Sequence, residues 1–544
     1  MTTAPPSAST PTRSMSHREV LQALTGLLMG MFVAILAGTV VSTSLPVIVA
    51  DLGGDQTAYT WVVTATLLAT AVSTPIWGKL ADLFNRKLLV QLALVIFVVS
   101  SAIAGFSQDT TMLITLRVFQ GLGAGGLAAL SQIIIADIIS PRDRGRYMGL
   151  FGGVMALGTV AGPLVGGFLT DTIDWRWNFF IGIPFAVAAI IMLQMTLRTS
   201  TVRRDRVRID YLGMVLLAIG VSLLLIWVSL AGDSFAWASV TTLAMVGGAV
   251  ICLAVLIAVE LRAAEPIVPM SMFRDRTFSL AVLASVSVGV AMFGTSVFLS
   301  QYMQLARGAT ATESGLMTIP MMTGLFVVST IVGGLISRTG AWKRYVVGGS
   351  VLLTVGLVLM STIHYDTPFA LVSVYMAMLG GGVGMVMQNM VLVVQNTAEP
   401  SRLGAASSGV TFFRSLGGTV GIAVLGSVLA DTVVNEMERR QSELLAAVAT
   451  DGSGGAAAMQ RLSDGTVPAV RDLPEALRGV VESIYGDAVA HVFLVAAPLG
   501  LVSIVATALL PNLPLSRQTS AERAGSPPQG PELDPQRVGD DVRR

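Results

Sequence analysis

The sequence predicts an all-α polytopic membrane protein with fourteen transmembrane helices. Of its 544 residues, 53% are hydrophobic and 12% are charged, and the mean hydropathy is +0.74. A soluble globular domain carries about 25% charged residues. Apolar stretches of about 20 residues, the length needed to cross about 30 Å of hydrocarbon, recur along nearly the whole chain.

The apolar stretches give the predicted spans, and polar or charged residues separate them. The spans are 24–46, 58–80, 88–106, 111–137, 146–170, 177–198, 210–231, 237–259, 277–302, 313–337, 344–363, 368–394, 405–430 and 488–510. Residues 1–19 are rich in Ser, Thr and Pro, and residues 516–544 are rich in Pro, Gly and charge. Both ends are therefore predicted to be disordered.

The loop charges predict the orientation. An even number of spans places both termini on one side, and loops on the cytoplasmic side carry an excess of Lys and Arg. On the opposite side the short loops carry only Arg176 and Arg307. The loops on the side of the termini carry Lys79, Arg86, Lys87, Arg142, Arg144, Arg146, Arg198, Arg203, Arg204, Arg206, Arg208, Arg262, Arg274, Arg276, Arg338, Lys343, Arg344 and Arg402. Both termini are predicted to be cytoplasmic.

One long external segment, 431–487, separates the last two spans. It contains the charged run 436–440, a Gly-rich break near 451–458 and an amphipathic stretch, 473–485. The segment is predicted to be partly helical. The sequence leaves open whether it is a solvated elaboration or takes part in function.

Composition excludes several classes of function. The single cysteine, Cys252, allows no internal disulfide, and the histidines, His17, His364 and His491, have no metal-binding spacing. A net charge of +1 gives no support for a nucleic-acid partner. No Walker motif points to ATP, and no nucleophile–base set points to an enzyme. No cofactor or metal is predicted.

Two loops indicate an internal duplication. Residues 78–87 and 334–344 each begin with Gly, carry a charged residue four positions later, and end in a basic pair. The chain is therefore predicted to contain two six-helix halves, 20–198 and 263–515, with two inserted linker helices in 199–262. Repeated halves around a midplane site are common in secondary transporters.

The first of these loops is a candidate conformational latch. Gly78 allows close helix approach, while Asp82, Arg86 and Lys87 can form ion pairs or cap helix ends, with Asp137 as an extra partner. The alternative, charges that only orient the chain, does not explain Asp82. The run Gly-Lys-Leu-Ala-Asp-(x)3-Arg-Lys resembles the signature of the major facilitator superfamily.

A glycine stripe marks the fifth span. Gly158, Gly162 and Gly166 lie four residues apart on one helix face, with Pro163 and Gly167 beside them. Ordinary small-residue packing is one interpretation. The run also resembles the fifth-helix antiporter motif of drug exporters in that superfamily, and the resemblance implies a gate helix that seals the two halves.

Arg117 is the foremost candidate for proton coupling. A guanidinium inside a span costs several kcal/mol unless it is paired or faces water. Its context, 116–121, resembles the fourth-helix motif of the same superfamily, whose Arg is tied to proton coupling. The first span departs from the family pattern, because Ala37 occupies the position of an expected Asp. Glu313 and His491 are weaker candidates for the titrating group.

Polar residues at middle depth predict the substrate cavity. Gln132, Gln388 and Asn389 are candidates, with methionines around the latter pair. Arg414 is a second charge inside a span, in a Phe-Arg-(x)2-Gly-Gly run that resembles fourteen-span exporters. For Arg414 a structural role and a substrate contact both stay open.

Together these motifs identify the chain as similar to the fourteen-span drug:proton antiporters of the major facilitator superfamily, especially actinobacterial multidrug efflux proteins. The resemblance implies an exporter of amphipathic small molecules in a bacterial inner membrane, exchanging them for protons. Two alternatives stay open: a dedicated exporter of a lipid or secondary metabolite, and a non-transporting membrane scaffold or sensor.

Overall fold

The computed structural model describes residues 17–54, 56–197, 209–230, 235–236, 239–450, 470 and 473–525. In chain order the α-helices are α1 (His17–Asp51), α2 (Gln56–Leu83), α3 (Arg86–Ala104), α4 (Thr110–Ile138), α5 (Pro141–Thr172), α6 (Trp177–Phe180), α7 (Ile183–Thr196), α8 (Tyr211–Leu230), α9 (Val240–Glu260), α10 (Arg276–Gln301), α11 (Ala311–Met317), α12 (Ile319–Thr339), α13 (Trp342–Met360), α14 (Phe369–Thr397), α15 (Leu403–Arg439), α16 (441–450), α17 (Glu475–Leu509) and α18 (Ser520–Gly525). Short 3-10 helices cover Met270–Arg274 and Pro400–Arg402, and a π-helical segment, Tyr302–Ala306, follows α10.

The predicted number of spans is confirmed. Within the described residues, fourteen helices are long and apolar enough to cross a membrane. The pair α6 and α7 forms one of them, Trp177–Thr196, and α11 with α12 forms another, Thr312–Thr339. The structure thus has the predicted fold class: an all-α bundle with two inserted helices, α8 and α9.

Separate apolar cores hold the bundle together. Helices α1 to α7 bury residues such as Leu24, Leu94 and Ile134 against one another, and helices α10 to α17 bury a second set that includes Leu299, Leu353 and Val489. The inserted helices pack at the seam between these sets. There Leu217 of α8 lies in one cluster with residues of α2 and α15.

The predicted external segment 431–487 is helical at both ends. The helix of span 13 continues past the predicted limit of 430 to Arg439, and the helix of span 14 begins at Glu475 rather than at 488. Ion pairs with i,i+4 spacing, such as Arg440 with Glu436, support these polar extensions. Residues 441–450 form α16. The predicted Gly-rich break, 451–458, lies outside the described residues.

Disorder was predicted too broadly at both ends. Residues 17–19 form the first turn of α1, and residues 516–525 are ordered and include α18. The order at 516–525 has a physical cause, because Ser516 and Arg523 hydrogen-bond to the end of α14. Residues 1–16 and 526–544 lie outside the described residues.

Candidate functional site

Polar contacts join the two halves at one end of the bundle. The end at which α1 begins and α17 finishes is here named the terminal end, and the other is the opposite end. At the terminal end, Asp82 Oδ1 accepts a hydrogen bond from the Gly404 amide at 2.7 Å, and Oδ2 accepts one from Ala405 at 3.0 Å. The first amides of a helix lack partners within it and carry partial positive charge. Asp82 in α2 therefore caps α15 of the other half.

Gly78 lets these two helices approach closely. It lies one turn before Asp82 in α2. A Cβ atom at Gly78 would lie 2.8 Å from the carbonyl oxygen of Gly404 and would overlap the Ser408 side chain. Any larger residue would push α2 away from α15 and lengthen the bonds that Asp82 makes.

The basic pair after Asp82 divides between two partners. Arg86 forms an ion pair with Asp137 at the end of α4, and its Nη2 lies 3.8 Å from Asp82 Oδ1. Lys87 instead donates from Nζ to the Gln194 carbonyl of α7 at 2.6 Å. The structure thus brings Arg86 and Asp137 to the predicted latch, and it places Lys87 in contact with α7 of the first half.

A second polar group joins α4 and α5 to α14. Gln132 Nε2 donates to Gln388 Oε1 at 3.2 Å, and Gln395 Nε2 donates to the Gln132 carbonyl at 3.1 Å. Arg144 of α5 donates to Gln395 Oε1. Gln132 and Gln388 are predicted to lie at the substrate cavity. In the structure both are buried in the contact between the halves.

Arg144 is the main residue of this interface that sequence reasoning missed. Its side chain is only 2% exposed, and Nη2 also donates to the Ile139 carbonyl at 3.1 Å. Gln395, which it contacts, also donates to Ser407 at 2.7 Å. In the sequence Arg144 is one of several arginines in a cytoplasmic-type loop, so nothing in the local pattern separates it from exposed neighbours such as Arg146.

Glycines bring α5 against α12 of the other half. Gly145, Gly149 and Gly153 lie four residues apart on one face of α5. A Cβ at Gly145 would overlap the backbone of Gly333, and one at Gly153 would lie 3.0 Å from the Phe326 ring. The spacing in 145–153 was the available signal for this contact.

The glycine stripe at 158–166 faces a different helix from the one expected. Gly158 accepts a hydrogen bond from Thr39 Oγ1 at 2.9 Å, and Gly166 accepts one from Ser44 Oγ at 3.2 Å. A Cβ at Gly162 would overlap the Thr39 side chain. The stripe therefore packs against α1 within the first half, while other faces of α5 meet α11 and α12 of the second half. Four-residue spacing identifies a close-packing face but not its partner.

Pro163 and Gly167 lie away from the stripe. A Cβ at Gly315 of α11 would lie 3.5 Å from Pro163 Cγ, so the proline is near the second half. A Cβ at Gly167 would meet no heavy atom of the described residues within 4 Å. Gly167 thus makes no close helix contact, in contrast to the role predicted for it.

Arg117 is buried between α4 and α2. It is 3% exposed, its Nε donates to the Val62 carbonyl at 3.2 Å, and its Nη1 donates to Gln120 Oε1 at 3.2 Å. Thr66 Oγ1 donates to the Arg117 carbonyl at 3.2 Å. No carboxylate of the described residues forms an ion pair with it. Its charge is therefore balanced only by neutral dipoles.

Arg414 lies between α15 and α10. Its Cγ would be 3.1 Å from a Cβ at Gly289, and its Nη1 is buried with no hydrogen-bond partner in the described part of the chain. Asn389, the other predicted cavity residue, donates from Nδ2 to the Met385 carbonyl of its own helix at 2.6 Å. Among the described residues, no hydrogen bond joins Arg414 to Asn389 or to Gln388.

The weaker coupling candidates lie away from these contacts. Glu313 accepts from the Thr310 amide at 2.8 Å, while Thr310 Oγ1 accepts from the Glu313 amide at 3.2 Å, which is a capping box at the start of α11. His491 is exposed on α17, on the same face as Leu494 and Val495. Neither position favours a coupling role. Ala37 is buried in α1.

The family model of the Major Facilitator Superfamily matches residues 27–422. An uncharacterized MFS-type transporter of Mycobacterium tuberculosis is 38% identical over 95% of this chain and 73% of its own length. The multidrug transporter protein MdtP of Bacillus subtilis is 33% identical over 90% of this chain and 88% of its own length.

Further comparisons agree with this result. Multidrug resistance protein 3 of Bacillus subtilis is 30% identical over 87% of this chain and 91% of its own length. The crystal structure of the human organic anion transporter MFSD10 has a TM-score of 0.57 at 15% identity, covering 88% of this chain and 99% of that one. At that identity the likeness concerns the fold alone.

Proposed function

Because the chain belongs to the Major Facilitator Superfamily, a family of transporters rather than enzymes, we propose that it is a secondary active exporter of amphipathic small molecules. Export is driven by proton antiport through alternating access. The protein lies in a bacterial inner membrane with both termini in the cytoplasm. No ATP or cofactor takes part.

One observation carries this proposal: among the described residues, the hydrogen bonds between the halves lie at the terminal end or on the terminal side of the bundle. They include Asp82 with Gly404 and Arg144 with Gln395. A transporter that works by alternating access closes one end at a time around a central site. The bonded terminal end represents the closed side of such a cycle.

The orientation rests on the charges of the same end. Lys and Arg concentrate in the loops there, and cytoplasmic loops carry such an excess. With the terminal end in the cytoplasm, its closed contacts are, in this proposal, the cytoplasmic gate of an outward-facing state. An exporter releases its substrate from that state.

Relatives support the substrate class. Two bacterial relatives carry names that describe multidrug transport or resistance, and they align along most of this chain. Apolar or amphipathic compounds can enter such a site from the bilayer. The absence of a carboxylate at Ala37 removes the usual electrostatic basis for selecting cations.

Arg117 is the coupling element in this proposal. A buried guanidinium held only by dipoles is stabilised by an anion, so an acidic group that approached Arg117 in another state of the cycle would release its proton there. Arg117 lies at the contact between α2 and α4, where Thr66 also bonds to its carbonyl. Movement of α2 at its latch end would therefore reach Arg117 through one continuous helix.

The test is efflux of a compound panel from cells that express the wild type, Arg117→Ala or Ala37→Asp, with and without a proton gradient. Arg117→Lys is the matched control, because it keeps the charge but loses the planar set of donors. We expect wild-type efflux to fall when the proton gradient is collapsed. We expect Arg117→Ala to lose efflux and Ala37→Asp to increase the efflux of cationic substrates. Wild-type efflux that ignores gradient collapse would rule out antiport.

A dedicated exporter of a lipid or secondary metabolite is the second candidate. It is favoured by the ordered extension at the opposite end, where α15, α16 and α17 share an apolar core containing Leu444, Leu477 and Val481. Arg440 ties this extension together through Glu436 and Asp487. Such a structure could receive an apolar product above the membrane.

Replacing residues 441–469 with a short Gly-Ser linker separates the two candidates. Loss of lipid release with intact dye efflux would favour the lipid exporter, and intact release of both would favour drug export. Arg440→Gln is a milder variant that loosens the extension without shortening the chain. Proteoliposomes that show neither counterflow nor substrate-dependent proton movement would instead favour a scaffold or sensor.

A further inference from the structure

The segment that follows α17 crosses the terminal end of the bundle and contacts both halves. We infer that residues 511–525, here named the strap, lock the closed terminal end and must detach from one half before that end opens. Arg523 is the positioning residue of this lock. The inference rests on the alternating access of the proposed function, but it requires neither a particular substrate nor proton coupling.

The strap is fixed first to the second half. Trp342 Nε1 donates to the Leu513 carbonyl at 2.8 Å. Asn396 Nδ2 donates to the Pro514 carbonyl at 3.1 Å, and Asn396 Oδ1 accepts from the Ser516 amide at 2.9 Å. These bonds hold the strap against the beginning of α13 and the end of α14.

From there the strap reaches the first half. The Arg142 amide donates to the Ser516 carbonyl at 3.1 Å. Arg142 lies in the first turn of α5 (Pro141–Thr172), where amides have no acceptor within the helix. Helix α18 also packs against α4. Ser516 thus links α14 of one half to α5 of the other through its two backbone groups.

Arg523 attaches the end of the strap to the interface itself. Its Nη1 donates to the Asn396 carbonyl at 3.1 Å, and its Nη2 donates to the Gln395 carbonyl at 3.0 Å. These carbonyls belong to the last turn of α14, where a cation is favourable. Burial lowers the pKa of the Arg523 guanidinium, which stays protonated at neutral pH.

The short helix that carries Arg523 is fixed at its start. The Thr519 amide donates to Glu522 Oε2 at 2.8 Å, and the Glu522 amide donates to Thr519 Oγ1 at 3.2 Å. This reciprocal arrangement satisfies amides that a helix cannot satisfy internally. It sets the direction in which Arg523 leaves the helix.

Arg523 therefore acts through Gln395. The side chain of Gln395 accepts from Arg144 and donates to the Gln132 carbonyl, both in the first half. Holding its backbone keeps that side chain in place for both bonds. Opening the terminal end separates α5 from α14, so the strap cannot keep Ser516 on Arg142 and Arg523 on α14 at once. The strap stabilises only the conformation in which the terminal end is closed, and it therefore increases the population of that conformation.

The test measures the distance between the halves at the terminal end. Spin labels are placed at Phe84→Cys and Arg344→Cys, on the exposed ends of α2 and α13, in a Cys252→Ser background. In Arg523→Gln we expect the ratio of long to short distances to rise by about fivefold or more. A chain that stops after Leu510 is expected to show a rise at least as large.

Two controls make the result specific. Arg517→Gln removes the same charge from an exposed position of the strap and is expected to leave the ratio unchanged. Arg523→Lys keeps one donor cation and is expected to recover part of the short-distance population. Thermal unfolding of each variant in detergent, compared with wild type, separates a population shift from loss of folding.

The strap is refuted if Arg523→Gln and the shortened chain both keep the wild-type distance ratio. A rise of equal size in Arg517→Gln would also refute the role of Arg523, because it would reflect charge alone. The measurement needs no substrate and no proton gradient. Failure of antiport in the efflux assay would therefore leave the result on the strap intact.

Discussion

Asp82 of α2 caps the first turn of α15 in the other half of the molecule, with its Oδ1 atom 2.7 Å from the Gly404 amide nitrogen. The cap combines hydrogen bonds with a favourable position at the positive end of a helix dipole. Arg86 and Asp137 lie next to it and belong to the first half. The Asp82 carboxylate thus lies close to the positive charge of its own half and forms its hydrogen bonds with the other half.

Asp82→Asn should weaken this cap while keeping the shape of the side chain. The amide can accept one bond but carries no charge, so we expect a loss of about 1–2 kcal/mol from the closed terminal end. Transport rate should fall in a well-expressed protein. Asp171→Asn, at the exposed end of α5, is the control and should be neutral. An unchanged transport rate in Asp82→Asn would exclude the latch.

The stripe on α5 offers a matched pair of glycine variants. Gly162→Ala places a methyl group into Thr39 of α1 and should lower stability by about 1–3 kcal/mol. Gly167→Ala meets no neighbour and should raise stability by up to about 1 kcal/mol, since alanine favours helix. Thermal unfolding of the purified protein measures both. Equal effects at the two positions would contradict the packing of the stripe on α1.

A second matched pair tests the contact between the halves. Gly333→Ala introduces a methyl group into the Gly145 backbone and should disfavour the closed terminal end. Gly334→Ala meets no heavy atom within 4 Å among the described residues and should be neutral. The spin-label distance across the terminal end and the transport rate are the measurements. We expect Gly333→Ala to change both while altering the unfolding temperature little, because folding of each half is untouched.

We expect Arg414 to be required for transport but not for the stability of the folded protein. Its Nη1 is buried without a hydrogen-bond partner among the described residues, and a buried polar group without a partner costs about 1–3 kcal/mol, which an apolar side chain would not incur. We therefore expect Arg414→Met to unfold at an equal or higher temperature and to lose transport. Arg414→Lys keeps the charge and should retain part of the activity. A large drop in unfolding temperature for Arg414→Met would indicate a structural role instead.

The number of membrane spans can be predicted from the sequence, because the thickness of the bilayer sets a similar minimum length for every span. The sequence also singles out Asp82, since no topological role explains an acid at that position, and the structure places this side chain in the contact between the halves. Motif spacing could not identify helix partners. The stripes at 145–153 and 158–166 have the same four-residue period, yet the first meets α12 and the second meets α1.

Composition alone underestimates the ordered structure in two parts of the chain, and the cause is the same in both. The polar ends of α15 and α17 look unlike membrane helices and fall in the external segment predicted to be only partly helical, and the segment 516–525 is predicted to be disordered. Their order comes from contacts distant in sequence, such as Arg440 with Asp487 and Arg523 with Gln395. Gln132 and Gln388 were likewise found as polar residues in apolar helices, but only the packing of α4 on α14 shows that they bond to each other.

The close approach of Gly145 and Gly333 affects the activation barrier for separating α5 from α12. Where two backbones touch without side chains between them, the surfaces are smooth, and no rotamer has to change for them to part or rejoin. Interdigitated leucine side chains would have to change rotamer each time the helices separated. If the terminal end opens as proposed, we expect this contact to add little activation barrier of its own and the polar bonds around it to set the rate of opening.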